Sequence, residues 1–181
     1  MTQATLIEVP PHAGNPDENQ RFTPRDALAW CLSKTGLQAY DLDVAACREA
    51  HHAPLWYGLD HPDAARRDGL TARWWGNVFC NPPWGDIYPW LQRAWSAWDF
   101  GGLEVPSMTF VLPGDRTHMP WWQEYVEPFR DNGGSLTTHY PPKPRPYYGH
   151  PGNPNGIGCV EPNFTTVVLH WRAWCRRKNR S

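Results

Sequence analysis

The sequence predicts an α/β domain, a mostly parallel sheet sandwiched in three layers. Three observations carry that expectation. Short apolar runs alternate with stretches whose apolar residues recur at helical spacing, and Pro, Gly or Asn closes most runs. A chain of 181 residues has room for one core of ordinary size. Its composition, 40% hydrophobic and 19% charged, supplies that core and excludes a chain disordered throughout. Composition does not account for 12 Trp beside 20 Pro and only 3 Lys.

Residues 1–21, with Pro10-Pro11, Gly14 and Asn15-Pro16, read as a flexible lead-in, and the domain runs from 22 to 174. Thr23 is placed to cap a helix that opens at Pro24, carries Ala27, Leu28, Cys31 and Leu32 as its apolar stripe, and stops at Gly36. Residues 37–46 form the first expected strand, with Leu42 and Val44 buried and Asp43 near its carboxyl end. Residues 47–75 are polar and irregular, with room for a short helix at 63–67. Asn77–Cys80 is an apolar strand that runs straight into Asn81-Pro82-Pro83-Trp84, where the prolines forbid its continuation. Asp86 is placed to cap a helix on which Ile87, Leu91, Ala94, Trp95 and Trp98 share one face, with Pro89 in the tolerated first turn. Residues 107–112 are a strand closed by Pro113-Gly114-Asp115, 120–129 a helix, and 136–140 a strand. Residues 141–162 hold seven prolines with Tyr147, Tyr148 and His150, a long loop of a kind compact domains seldom carry without using it. The β-branched run 165–171 is the last strand, and the final strands are expected to turn antiparallel.

Charge is nearly balanced, with 17 Lys and Arg against 18 Asp and Glu. The balance is uneven along the chain. Arg172, Arg176, Arg177, Lys178 and Arg180 fall in the last ten residues with no acid among them, so a basic tail at 175–181 follows an acidic body. Such a tail is either a solvated terminus or a grip on phosphates. No window approaches the ~18 apolar residues of a membrane span and no secretory leader is seen, so the expectation is a cytoplasmic protein without a membrane partner. Five scattered cysteines without a C-x-x-C pair indicate neither a disulfide framework nor a zinc ribbon. Cys47 with His51-His52 is too small a set for a metal site, and none is expected.

Asn81-Pro82-Pro83-Trp84 is the most informative tetrapeptide, because a rigid loop at the carboxyl edge of such a sheet is where ligands bind. Two prolines remove two N–H donors and leave loop carbonyls to accept hydrogen bonds from something else. Asn81 adds a side-chain acceptor and Trp84 a flat aromatic face. Acceptors beside an aromatic platform suit a planar group bearing an NH2. If the Asn81 oxygen and the Pro82 carbonyl each take one N–H, the nitrogen is drawn toward a tetrahedral form whose lone pair can meet an electrophile. The bland alternative is a turn after a strand, with Trp84 covering the core.

These features in order, Phe22-Thr23-Pro24, Leu42-Asp43-Val44-Ala45-Ala46, Asp68-Gly69-Leu70 with Trp74-Trp75-Gly76, and Val78-Phe79-Cys80-Asn81-Pro82-Pro83-Trp84-Gly85, resemble the bacteriophage-type, Dam-like DNA N6-adenine methyltransferases. The resemblance spans roughly residues 22–112. It implies a class I, Rossmann-like fold, S-adenosyl-L-methionine as cofactor, and double-stranded DNA as partner. It also implies direct methyl transfer to the N6 amine of a flipped-out adenine in a bacterial cell, protecting phage or host DNA from restriction. Asn81, Pro82, Pro83 and Trp84 would be the catalytic loop. Asp43, Val44, Ala45, Asp68 and Asn81 would meet the cofactor, although Asp43-Val44-Ala45-Ala46 stands where methyltransferases generally carry a glycine-rich turn. Asp43 itself reads either as a partner for an ammonium or ribose hydroxyl or as a loop aspartate.

Lys143, Arg145 and Tyr147 mix cations with aromatics as nucleic-acid grooves do, and Arg176, Arg177 and Lys178 would add phosphate contacts. Two other readings stay open. The acceptor could be RNA or a protein glutamine amide, which presents a similar NH2. The chain could instead be a non-catalytic, Trp-rich binding module, which requires many tryptophans on an exposed stacking face.

Overall fold

The computed structural model describes residues 21–101, 104–130, 135–143, 148–150, 152–153 and 165–172. The lead-in before Arg21, Arg145, Tyr147, most of the proline-rich loop and the basic tail lie outside the described residues. The elements are α1 (Arg25–Thr35), β1 (Leu42–Asp43), β2 (Leu55–Trp56), a 3-10 turn (Ala64–Arg66), β3 (Asn77–Cys80), α2 (Tyr88–Gly101), β4 (Ser107–Pro113), α3 (Pro120–Tyr125), β5 (Leu136–His139) and β6 (Thr166–Arg172). Six strands form one sheet in the order β2-β1-β3-β4-β6-β5. The first four are parallel, and β6 runs antiparallel to both β4 and β5.

Alternation along the strands divides the core in two. Val78 and Cys80 of β3, Met108, Phe110 and Leu112 of β4, and Val167, Leu169 and Trp171 of β6 face one side, where Leu91 and Ala94 of α2 and Trp121 and Trp122 of α3 pack on them. Phe79, Val111 and Val168 face the other side, against Cys31 of α1 with Tyr40 and Tyr148. All seven residues of β4 are buried, as a central strand covered on both faces requires.

One polar chain crosses this second face. Burial lowers the pKa of His170 to about 4, with Arg172 adding to the effect, so the ring is neutral. Arg172 Nε–H donates to His170 Nε2 at 3.0 Å, which leaves the proton on Nδ1 to be donated to Thr109 Oγ1 at 2.9 Å. Arg172 also donates to the Thr35 carbonyl at the end of α1, tying that helix to β6.

Several boundaries differ from expectation. The first strand, expected over 37–46, is only Leu42–Asp43, and β2 lies within the stretch expected to be irregular. Thr23 does not cap α1: the helix begins at Arg25, Pro24 occupies the cap position without a side-chain bond, and the Thr23 hydroxyl is engaged by Asn81. Asp86 lies two residues before α2 starts at Tyr88, and its N–H closes a turn onto the Pro83 carbonyl. The helix expected over 120–129 is regular only to Tyr125 and unwinds through turns from Val126.

Candidate functional site

The chain leaves β1 for β2 on one side and returns to β3 on the other, so the order of connection reverses between β1 and β3. Loops leaving the carboxyl ends of two such strands diverge and open a crevice. A cavity of about 850 Å³ lies there, within the size range of small-molecule and cofactor sites. Residues 44–50 after β1, 57–60 after β2, 67–70, Asn81 and Pro83 after β3, with Arg21, Phe22 and Trp90, form its wall. Phe22, Tyr57 and Trp90 supply aromatic surface, while Arg21, Arg48 and Arg67 stand against Glu49, Asp60 and Asp68. A wall of both charge signs with aromatic faces suits a zwitterionic ligand that carries a flat ring.

Asn81 is held by three hydrogen bonds. Its Nδ2 donates to the Arg21 carbonyl and, at 3.0 Å, to Thr23 Oγ1; its Oδ1 accepts from Trp84 Nε1 at 3.0 Å. The orientation of the amide follows from these partners, because a carbonyl can only accept and an indole N–H can only donate. Of the four hydrogen-bonding positions of the amide, three are filled and one lone pair of Oδ1 is left. Among the described residues no donor reaches the Pro82 carbonyl either. Pro82 is buried beneath the loop, whereas Pro83 is exposed on the cavity wall.

Trp84 is half-buried. Its N–H is shared with the Val111 carbonyl of β4 at 3.3 Å, and its ring meets Tyr148 edge-on at 5.3 Å. Phe22 and Gly149 exchange backbone hydrogen bonds at 2.9 and 2.8 Å, and through the bonds of Asn81 to Arg21 and Thr23 and the contact of Trp84 with Tyr148 the segment before α1 and the middle of the proline-rich loop meet at the Asn81–Trp84 turn.

Asp43 lies below the cavity. The side chain is 1% exposed and its oxygens accept from the His52 N–H at 3.0 Å and the Ala45 N–H at 3.4 Å. Burial raises its pKa to about 7, against those two bonds. It organises the turn after β1, while Val44 and Ala45 form the surface that the cavity sees. The absent glycine-rich turn has a counterpart across the gap. A Cβ on Gly58 would lie 1.9 Å from the Ala46 carbonyl oxygen, and one on Gly69 would lie 1.9 Å from that of Val44. The close backbone approach is supplied by glycines on the facing segments, with Ala46 N–H bonded to the Tyr57 carbonyl at 2.9 Å. Asp68 lines the cavity, and its carboxylate holds the next turn through the Leu70 N–H and the Thr71 hydroxyl, each at 2.9 Å.

Of the predicted site residues, Val44, Ala45, Asp68, Asn81 and Pro83 meet on one wall; Asp43, Pro82 and Trp84 support it from behind. Lys143 is exposed at the far half of the same sheet edge. Arg145, Tyr147, Arg176, Arg177 and Lys178 lie outside the described residues. Arg21, Tyr57, Gly58 and Trp90 also line the cavity and are not expected there from the sequence. Tyr57 and Gly58 carry only aromatic or Gly character in a loop, and Arg21 and Trp90 no local signal for a site; they become informative once topology brings these segments together. Among the described residues no three His, Cys, Asp or Glu side chains gather as a metal would require, and no helix is long and apolar enough to cross a membrane. Among the described tryptophans Trp75 alone is exposed, at 39%, so they do not form the stacking face that a Trp-rich binding module needs.

The chain matches no protein-family model, no curated protein and no solved structure.

Proposed function

We propose that the chain is an S-adenosylmethionine-dependent DNA methyltransferase acting on the exocyclic N6 amine of adenine. The observation that carries this reading is Asn81: a side chain with one unused lone pair, on the wall of an 850 Å³ cavity at the point where the sheet order reverses, in an N-P-P-W turn. The cavity suits the cofactor in size and donor set, since Asp60, Asp68 and Glu49 can meet an ammonium or ribose hydroxyls and Tyr57, Trp90 and Phe22 can flank a base. When bound, S-adenosylmethionine supplies an electrophilic methyl group on a sulfonium.

The protein's own residues then have three tasks. The free lone pair of Asn81 Oδ1 and the Pro82 carbonyl accept the two N–H groups of the target amine, which localises the nitrogen lone pair as the N–C bond forms and the C–S bond breaks. The amine proton leaves afterwards to solvent, so no strong base is needed. Trp84 keeps Asn81 oriented through its indole N–H, and its ring edge borders the place where an extruded base would lie; extrusion costs a few kcal/mol. Asp43 and the facing glycines keep the turn after β1 close enough to form the cofactor wall.

Incubation with methyl-labelled S-adenosylmethionine and unmethylated duplex DNA, followed by nucleoside analysis, tests the reading. Label is expected in N6-methyladenine. Label confined to RNA or to protein glutamine would replace the acceptor, and absence of label with every acceptor would remove the activity.

A further inference from the structure

Among the described residues the cavity draws its wall from the loops after β1, β2 and β3, with Arg21, Phe22 and Trp90, and from none after β4 or β5. A cofactor filling it leaves a polymeric acceptor an approach to Asn81 over the other half of the same sheet edge. We propose that residues 114–118 after β4, together with the end of β5, form the surface that grips the acceptor's backbone, with Arg116 as its phosphate contact. This rests on the methyltransferase reading and assigns the acceptor's side of the same site.

Topology places the surface. β3, β4 and β5 all point the same way, so the turn at Asn81, the loop at Arg116 and the segment from Tyr140 to Lys143 emerge on one edge. The loop is stapled: Gly114 N–H donates to the Thr165 carbonyl at 2.7 Å, Met119 N–H to the Arg116 carbonyl at 3.1 Å, and Gln123 Nε2 to the Thr117 carbonyl at 2.8 Å. A Cβ on Gly114 would lie 3.3 Å from Cε1 of Tyr140, so that ring stands against the loop while 47% exposed.

Charge points the same way. Among the described residues Arg66, Arg73 and Arg130 each form an ion pair with a carboxylate, whereas the exposed Arg25 and Arg116 form none. Arg116 is exposed and among the described residues has no carboxylate partner, and His118 and Lys143 are exposed on the same edge. Asp115 shares the loop, so the grip is a local contact and not a broad basic field. An unpaired guanidinium on a fixed loop beside an exposed phenol suits a phosphate flanked by a base: the first fixes register and the second offers a stacking face.

The test compares the full-length wild type with Arg116→Ala, Arg116→Lys and Arg73→Ala, measuring binding of a fluorescein-labelled duplex across a salt series. KM for duplex and affinity for S-adenosylmethionine are measured alongside. Arg73 is the control because it lies with Glu104 beside Gly76, at the opposite, amino edge of the sheet. Arg116→Ala is expected to weaken duplex binding about tenfold and to flatten the slope of log K against log salt by about 0.9. It should raise KM without changing kcat or cofactor affinity; Arg116→Lys keeps most of the slope, and Arg73→Ala keeps all of it. If the wild type labels DNA while Arg116→Ala retains its slope and KM, this surface is wrong and the methyltransferase reading stands. A wild type that neither binds nor labels duplex overturns both.

Discussion

In the proposed reaction Asn81 is the residue on which the chemistry turns, and its neighbours leave it little freedom. The Arg21 carbonyl and the Thr23 hydroxyl take both hydrogens of its amide nitrogen, and the Trp84 indole takes one lone pair of its oxygen. The indole N–H therefore has a use separate from its ring, and the two can be parted by substitution. Trp84→Phe keeps an aromatic ring and loses the donor; a hydrogen bond of this kind is worth about 1 kcal/mol, so kcat for methyl transfer should fall roughly five- to tenfold with KM for DNA little changed. Trp84→Ala should fall further and also lower thermal stability, because the ring packs against both core clusters. Steady-state kinetics check this, and a Trp84→Phe protein with wild-type kcat would contradict it. The turn at Asn81–Trp84 was readable in the sequence, since two prolines after an apolar strand end its pairing. The partners of Asn81 were not, because Arg21 and Thr23 lie some sixty residues away and Thr23 carries a stronger local signal as a helix cap.

At the scale of elements, the turn after β1 is shaped by what faces it. Val44 and Ala46 lend it no glycine, yet Gly69 and Gly58 let the opposing segments come against their carbonyls. Gly58→Ala forces a shift of backbone against backbone, at a cost of about 1–3 kcal/mol. The melting temperature should drop by roughly 5 °C, and S-adenosylmethionine binding, followed by calorimetry, should weaken several-fold. Unchanged affinity and melting would show that the turn does not form the cofactor wall. The elements differ in how plainly the sequence announces them. β3, β4 and β6 are apolar runs covered on both faces, and their limits match expectation within a residue. β1 and β2 are two residues each, held by pairing to neighbours and not by any run of their own, so the sequence overstates the length of the first and gives no sign of the second. The helix after β4 shortens at Pro128, which lacks an N–H for a continuing turn.

Across the whole molecule the sheet edge is divided. β2, β1 and β3 carry a cavity of cofactor size, β4 and β5 carry an open surface with Arg116 and Tyr140, and Asn81 sits at the boundary. The tryptophans follow the same division of labour: Trp121, Trp122 and Trp171 fill the core, Trp95 and Trp98 pack on it, Trp90 lines the cavity, and Trp84 holds the Asn81 turn. Alternation of strands and helices was enough to read the three layers, and the apolar run before Asn81 was enough to place that turn at a carboxyl edge of the sheet. The strand order, which creates the crevice, depends on pairings between distant segments and leaves no local mark in the sequence. The measurement closest to the central claim is single-turnover transfer of labelled methyl from saturating S-adenosylmethionine to duplex DNA by the wild type and by Asn81→Ala. Label is expected in N6-methyladenine from the wild type, with a rate at least ~100-fold lower in the variant and cofactor affinity within a few-fold, as when an acceptor needed mainly in the transition state is removed. Equal rates in the two proteins would contradict that claim.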